Sequence, residues 1–123
     1  MVKITPEGGK EEAFEFPMEE PKGVYEFFCW YPHITSAAYD RGDMNALMMI
    51  VDFEEALNHV KFTKRQKEAM VLVFVEGKSQ RQAGEIMNVT QQAIQRFLFL
   101  ATGKIAKQYA HKRRKTDSRT VTL

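Results

Sequence analysis

Four side chains in the C-terminal half have the chemistry to recognise base pairs: Gln91, Gln92, Gln95 and Arg96. Their spacing of one, four and five residues places them on one face of a helix. Glutamine can form paired hydrogen bonds with adenine, and arginine with guanine, when a helix enters the major groove of duplex DNA. The set therefore predicts a base-contacting surface. The alternative is a solvated helix face that touches no nucleic acid.

Polar and basic residues around this set are suited to the DNA backbone. Thr90 is placed to cap the helix that carries the four side chains, where main-chain amides can also meet a phosphate. Each phosphate neutralised by a lysine or arginine makes binding more sensitive to salt. The predicted DNA-binding residues are Thr90, Gln91, Gln92, Gln95, Arg96, Lys78, Arg81, Lys64 and Arg65.

Two short helices joined by a tight turn would hold these residues in place. Ser79 and Gln82 make a capping-box pattern that starts the first helix. Gly84 leaves room for the helices to cross closely, and Asn88 tolerates the left-handed backbone of a sharp turn. This arrangement predicts a helix-turn-helix, although similar helix pairs occur in bundles that never bind DNA. Its core positions are apolar: Ala83, Met87, Val89, Ile94 and Phe97.

One helix is predicted before this unit and one continues it. Thr63 and Gln66 form a second capping box, so a helix is expected over Thr63–Glu76, ended by Gly77 in the left-handed conformation. The last helix is expected to begin after Thr90, continue through Tyr109 and lead into a basic tail over 112–123. The side chains of the preceding helix expected to face the core are Met70, Val71 and Phe74.

Phe62–Ala106, about a third of the chain, resembles region four of the sigma factors of bacterial RNA polymerase. The likeness is greatest to small sigma-like proteins encoded by phages and prophages. The family's opening Thr-x-Arg-Gln-Arg-Glu motif is here Thr63, Arg65, Gln66, Lys67 and Glu68, its Gly and Ser before the turn are Gly77 and Ser79, and its Ile-Leu-Gly-Val-Ser motif is Ile86, Met87, Asn88, Val89 and Thr90.

The resemblance implies promoter binding near the −35 element and docking on a flap of RNA polymerase. By this likeness Lys78 and Arg81 would face phosphates, and no counterpart of the promoter-melting region two is seen. The residues implied to face bases are Thr90, Gln91, Gln92, Gln95 and Arg96.

The first 60 residues carry weaker signals. Residues 1–23 are rich in glutamate, proline and glycine, which predicts an acidic, flexible arm. Aromatic residues over 24–33 predict a short helix or extended segment that Pro32 ends. Ser36–His59 is predicted to be helical, with Gly42 breaking off a first turn and Asp43 capping the rest. Its expected apolar stripe is Met44, Leu47, Met48, Val51, Glu55 and Leu57, widened by Ile50 and Phe53.

Two apolar features leave alternatives open. Met44, Met48 and Met49 suit either a core or an adaptable partner surface. Phe97, Leu98, Phe99 and Leu100 are contiguous, so one core cannot bury all four. Either the aromatic residues over 24–31 or a second subunit would then cover the far side, and a homodimer is favoured slightly.

Charge and composition exclude several classes. Residues 1–60 contain twelve acidic and four basic residues, a net −8, whereas residues 61–123 contain four acidic and fourteen basic residues, a net +10. The basic half is typical of a polyanion binder, unless the acidic half simply neutralises it. No membrane span, signal peptide, metal-ligand spacing, cofactor motif or catalytic constellation is found. Cys29 is expected to be buried, and a lone cysteine is consistent with a cytoplasmic protein.

The sequence as a whole predicts an all-α chain of four to five helices that is not an enzyme. Its expected divisions are an arm over 1–23, an aromatic segment and helix over 24–60, a DNA-binding domain over 61–111 and a tail over 112–123. The predicted function is sequence-specific regulation of transcription by a sigma-like protein of phage or prophage origin. A phage small terminase subunit, and a polymerase adaptor without DNA contact, are the alternatives. Expected partners are double-stranded DNA, RNA polymerase and a second copy of the chain, with no membrane.

Overall fold

The computed structural model describes the backbone of residues 15–121 and the side chains of residues 15–113. Every regular element in this part of the chain is helical, which confirms the predicted all-α class of four to five helices. The helices are α1 Pro21–Asp40, α2 Met44–Asn58, α3 Lys64–Met70 with a π-helical turn Val71–Val75, α4 Gln80–Met87 and α5 Gln91–Val121.

Helix α1 contradicts the prediction that Pro32 ends the aromatic segment, because the helix continues through Pro32 to Asp40. Proline removes one main-chain hydrogen bond and costs a helix interior about 3 kcal/mol. Pro32 is exposed, whereas Phe27 and Ile34 on either side of it are buried. Burial of apolar side chains both before and after the proline outweighs that local cost.

The link between α1 and α2 follows the predicted pattern. Gly42 has a φ of 68°, and the Asp43 carboxylate accepts hydrogen bonds from the amides of Asn45 at 3.0 Å and Ala46 at 3.2 Å. Asp43 therefore caps α2, which confirms that prediction. The residues before Gly42 belong to α1 rather than to a separate short turn.

Helix α2 buries only part of its predicted stripe. Ile50 and Phe53 face the core as predicted, together with Ala46, whereas Met44 is 65 % exposed and Met48 is 53 % exposed. All of these positions have helical spacing, so the sequence pattern alone does not say which of them are buried. The choice is made by Phe53, whose ring lies 4.7 Å from the ring of Phe27 on α1.

The described end of the acidic arm lies against this core. Residues 1–14 are outside the described part of the chain, so most of the predicted arm lies there. The ring of Phe16 meets the ring of Phe27 edge-on at 5.5 Å, and Met18 packs against the same cluster. Glu19 pairs with Arg113 of α5 at 3.0 Å. The arm is thus anchored at its C-terminal end, where flexibility was predicted.

Helix α5 is also tied to α2 by charge. The Lys112 ammonium donates to the Glu55 carboxylate at 2.6 Å and lies 3.7 Å from Asp52. The hydrogen bond lowers the pKa of Glu55 and raises that of Lys112. Nearby, burial raises the pKa of the Tyr109 phenol, with a smaller contribution from Asp52. These contacts hold the later turns of α5 against the N-terminal helices.

The helix predicted over Thr63–Glu76 changes pitch after Met70. The amide of Glu76 bonds to the carbonyl of Val71 at 2.9 Å, five residues back, in place of a four-residue α-helical step. Val71, at the start of this wider turn, is 44 % exposed rather than directed at the core as predicted. Gly77 ends the element with a φ of 73°, as expected.

Two clusters of apolar residues form the interior. One joins α1, α2 and the later part of α5, and the other joins α3, α4 and the start of α5. Phe28 of α1 connects them, because its ring stacks on Phe74 with centroids 4.1 Å apart and also contacts Phe53 at 5.1 Å. Tyr25 adds an edge-on contact with Phe74 at 5.3 Å. The N-terminal helices therefore pack directly against the C-terminal unit.

Candidate nucleic-acid interface

The turn between α4 and α5 has the geometry that the sequence predicts. Asn88 adopts the left-handed conformation, with φ 59° and ψ 45°. The amide of Val89 donates to the carbonyl of Gly84 at 2.9 Å, so the chain folds back tightly onto α4. A Cβ atom at Gly84 would lie 2.8 Å from the carbonyl oxygen of Val89. Glycine is therefore required here by the close approach of the backbone.

Local hydrogen bonds fix where both helices of the unit begin. At Ser79 the side chain accepts from the Gln82 amide at 3.0 Å, and the Gln82 side chain accepts from the Ser79 amide at 3.0 Å. At Thr90 the hydroxyl accepts from the Ala93 amide at 3.0 Å. These caps orient α4 and α5 relative to the turn. Thr63 and Gln66 make the same reciprocal box at the start of α3.

The predicted base-contacting residues share the open side of the first turns of α5. Thr90, Gln91, Gln92, Gln95 and Arg96 are all exposed, whereas Ile94 and Leu98 between and after them are fully buried. One side of the helix is thus fixed by the core while the other is free to meet a ligand. An amphipathic helix of this kind, following a tight turn, has the shape of a recognition helix.

Gln95 differs from its neighbours because it borders α1. It lines a groove between the start of α1 and the first half of α5, together with Lys22 and Gln80. Neither of those two residues was predicted to lie near the base-contacting set. Gln80 is brought there by α4, whereas the proximity of Lys22 depends on how α1 packs across α5, a placement that no local pattern in the sequence encodes.

The predicted phosphate contacts fall into two places. Lys78 and Arg81 lie at the start of α4, where Arg81 is exposed and its guanidinium is 3.9 Å from the Glu85 carboxylate. Lys64 and Arg65 open α3, beside Gln66, which is hydrogen-bonded to Lys104 of α5 at 2.8 Å. Lys104 follows Gln92 by twelve residues, or about 18 Å of helix. The α3 pair is therefore remote from the base-contacting set.

The family comparison agrees with this geometry. A family model described as "Sigma-70, region 4" matches residues 53–105, somewhat less than half of the chain. This segment is a sigma region 4-like helix-turn-helix. The family consists of DNA-binding domains without catalytic activity, associated with transcription and with RNA polymerase. No curated protein and no solved structure matches the chain.

The region 4-like domain includes more than α4, the turn at Asn88 and the start of α5, which together we call the turn unit. Its match begins at Phe53 inside α2 and ends at Ile105 on α5, so it covers α3, α4 and the first half of α5. It extends upstream of the resemblance seen from the sequence, which began at Phe62. Helix α1, which lies entirely before the match, still contributes Tyr25 and Phe28 to the packing around Phe74.

Two apolar residues next to the exposed polar face of α5 remain uncovered. Within the run predicted to need a second covering surface, Leu98 is buried and Phe97 is half-buried. Phe99 is 63 % exposed and Leu100 is 39 % exposed. Residues of α1 border Phe99 across the groove but do not bury it.

Other reactive groups are placed unfavourably for chemistry. Cys29 is exposed, contrary to the prediction of burial, because it lies on the side of α1 away from Phe27 and Phe53. Partial desolvation and then Glu26 raise its thiol pKa, which disfavours the reactive thiolate. Over the described residues no three histidine, cysteine, aspartate or glutamate side chains converge on a metal position. In the same part of the chain, no helix is long and apolar enough to cross a membrane.

Proposed function

We propose that this protein is a sequence-specific regulator of transcription that binds duplex DNA through the first turns of α5. The observation that carries the proposal is the exposed set Gln91, Gln92, Gln95 and Arg96, held on a capped helix after a tight turn. The side chains beneath this set are buried, so the helix cannot rotate to hide the polar face without breaking the core. The region 4-like match supports the same role.

Each part of the surface has its own proposed task. Gln92 and Arg96 contact base edges in the major groove, with Gln91 and Gln95 beside them. Thr90 and the first amides of α5 meet a phosphate, and Lys78 and Arg81 contact the backbone next to it. Arg81 exchanges its exposed contact with Glu85 for a DNA phosphate, at little cost because both side chains are largely solvated.

The test is selection of binding sites from a random duplex library, repeated at two salt concentrations. A sequence-specific regulator should enrich one motif at both salt concentrations. The symmetry of that motif, together with the mass of the free protein, distinguishes a homodimer from a single copy. Salt-sensitive binding without a motif would contradict sequence-specific recognition and favour DNA packaging, as in a terminase subunit.

Variants of Arg96 distinguish base contact from simple charge attraction. On the selected site, Arg96→Ala should weaken binding by about 1–3 kcal/mol, with little change on random DNA. Arg96→Lys keeps the charge but lacks the planar fork that bonds guanine, so it should lose most of the sequence preference as well. If Arg96→Lys retains full preference, Arg96 contacts phosphate rather than bases.

RNA polymerase is the proposed protein partner, because the region 4 family is associated with it. Co-purification of polymerase with the wild-type chain, and with a variant that has lost DNA binding, tests this directly. Capture of polymerase by both proteins would support a sigma-like regulator. Capture of polymerase by a wild-type chain that shows no DNA affinity would favour the adaptor alternative.

A further inference from the structure

A second basic surface lies away from the first turns of α5. It is a groove at the end of α2 and the middle of α5, with a volume of about 600 Å³. Its charged or ionisable lining residues are three lysines and two histidines, and no carboxylate is among the described residues that line it. These five residues, which we call the basic groove, are His59, Lys61, Lys104, Lys107 and His111.

The basic groove has a fixed lysine at its centre. The Lys104 ammonium donates to the main-chain carbonyl of Lys61 at 2.8 Å and to the Gln66 side-chain carbonyl at 2.8 Å. An ammonium group has three donors, so one is left over after these two bonds. On the α2 side, the Nδ1 of His59 is 3.0 Å from the Glu55 carbonyl, which orients the imidazole ring. The charge of Lys104 is therefore held in place before any ligand arrives.

The lining suits phosphate groups better than an acidic peptide. Lysines act as point charges that attract phosphates without selecting a base sequence. Protein partners usually insert large apolar or aromatic anchors into pockets. Among the described residues that line the groove, only Val60 and Ala110 have apolar side chains, and neither forms such a pocket.

The position of the basic groove relative to the recognition surface suggests what it contacts. Lys104 and Lys107 follow Gln92 and Gln95 by twelve residues each, which is about 18 Å along α5. A DNA contact displaced this far along α5 would fall on backbone that flanks the contacted bases. Lys64 and Arg65 directly precede Gln66, which accepts the Lys104 hydrogen bond, so further positive charge lies near this part of the molecule.

We propose that the basic groove binds the phosphate backbone of the same DNA duplex, outside the bases contacted by α5. This inference rests on the proposed DNA-binding function and adds a backbone contact that does not contribute to sequence preference. It also assigns a role to α2 and to the middle of α5, neither of which belongs to the turn unit.

The test measures how DNA affinity depends on salt for a double variant, Lys61→Gln with Lys107→Gln. Lys104 is left intact because its hydrogen bonds position α3. The Lys61 carbonyl that Lys104 uses belongs to the main chain, so this substitution preserves the bond. Arg41→Gln is the control for Lys107→Gln alone. It removes one charge just before the other end of α2, about 22 Å from the end of α2 that lines the basic groove.

The expected result on a long duplex is a salt slope less negative by about 1.8 for the double variant and by about 0.9 for Lys107→Gln. As salt falls from 1 M to 0.1 M, the ratio of wild-type to variant affinity should therefore rise about 8-fold for each lost contact. The Arg41→Gln slope should equal that of wild type. Sequence preference should be unchanged in all three variants. On a duplex trimmed to the selected motif, the salt slopes of the variants should equal that of wild type.

Three results would overturn the inference. Equal slopes for wild type and the double variant on the long duplex would show that the groove does not contact phosphate. A full difference on the trimmed duplex would place the contact inside the motif. Loss of poly-glutamate binding by the double variant, with an unchanged DNA slope, would show that the groove binds acidic peptides. Failure of the wild-type chain to bind any duplex would instead refute the proposed function itself.

Discussion

The turn unit and the N-terminal helices reach their structures by different routes. In the turn unit, Ser79, Gly84 and Asn88 each act on a residue within five positions in the chain. In the N-terminal helices, Phe27 is fixed by Phe16 before it and by Phe53 far beyond it. The first kind of structure is encoded locally, whereas the second depends on which distant aromatic residues meet.

The largest expected effect comes from removing an aromatic residue of the N-terminal core. Phe27 is only 1 % exposed, so Phe27→Ala should lower the free energy of unfolding by about 3–5 kcal/mol. Urea unfolding followed by Trp30 fluorescence and by circular dichroism tests this. Because Phe28 stacks on Phe74, both probes should shift together.

Tyr39→Ala is the control for this substitution, because Tyr39 is 66 % exposed and should change stability by no more than about 0.5 kcal/mol. If Phe27→Ala does not fold, Phe27→Leu gives a smaller loss that can be measured. Separate transitions for the two probes would show that the two regions unfold independently, and the comparison would then concern two domains rather than one.

Two helical glycines give the next largest effect, with opposite signs. Gly84→Ala should destabilise the protein by about 1–3 kcal/mol, because the new Cβ would lie 2.8 Å from the Val89 carbonyl oxygen. Gly103→Ala meets nothing within 4 Å and should stabilise α5 by up to about 1 kcal/mol. Thermal unfolding of both variants measures the difference. Similar changes in both would mean that the crossing at Gly84 is wider than the structure shows.

A smaller effect is expected at the turn itself. Asn88 has a φ of 59°, a conformation that costs alanine more than asparagine. Asn88→Ala should therefore lose about 1 kcal/mol, whereas Asn88→Gly should be close to neutral because glycine adopts this conformation freely. Chemical denaturation of the pair separates backbone strain from loss of the side chain. A glycine variant as unstable as the alanine variant would assign the effect to the side chain.

The smallest effect concerns the exposed pair of Glu55 and Lys112. The pKa of Glu55 lies below its ordinary value of 4.5. Its contribution to the free energy of unfolding is therefore complete above that pH and is lost as pH falls through the lowered pKa. The pKa of Lys112 lies above its ordinary value of 10.5, so its contribution to the free energy of unfolding is lost only as pH rises through the raised pKa. The melting temperature of Glu55→Gln should therefore fall below that of wild type at neutral pH and approach it in acid.

The matched control for this pair is Glu76→Gln, which removes an exposed carboxylate from the other half of the molecule. Its melting temperature relative to wild type should not show the same convergence between pH 7 and acid. Added salt should reduce the Glu55 effect, since both partners are substantially solvated.

Much of the C-terminal half could be predicted because its determinants are short-range. The boxes at Thr63 and Ser79, and the positive φ angles at Gly77 and Asn88, appear where residue types indicated. The exception is the π-helical turn after Met70. Its extra residue per turn arises in a continuous apolar run, Val71–Val75, where side-chain type alone does not distinguish the two helical pitches.

The N-terminal half was predicted less well for a physical reason. Pro32 indicated an end to α1, but packing on both sides of it prevailed. On α2 the predicted stripe included both Met44 and Ile50, and only contact with α1 decides that Ile50 is buried and Met44 is exposed. The groove where Gln95 meets Lys22, and the basic groove around Lys104, likewise arise from helices packed together across long stretches of chain.

The family match begins at Phe53, in the middle of α2, and this boundary has a practical meaning. A fragment cut there would keep half a helix and would lose Phe27 and Phe28, the ring partners of Phe53 and Phe74. The segment that matches the family is therefore shorter than the segment that forms a complete hydrophobic interior. A fusion protein that carries the region 4-like domain would therefore also need the whole of α1 and α2.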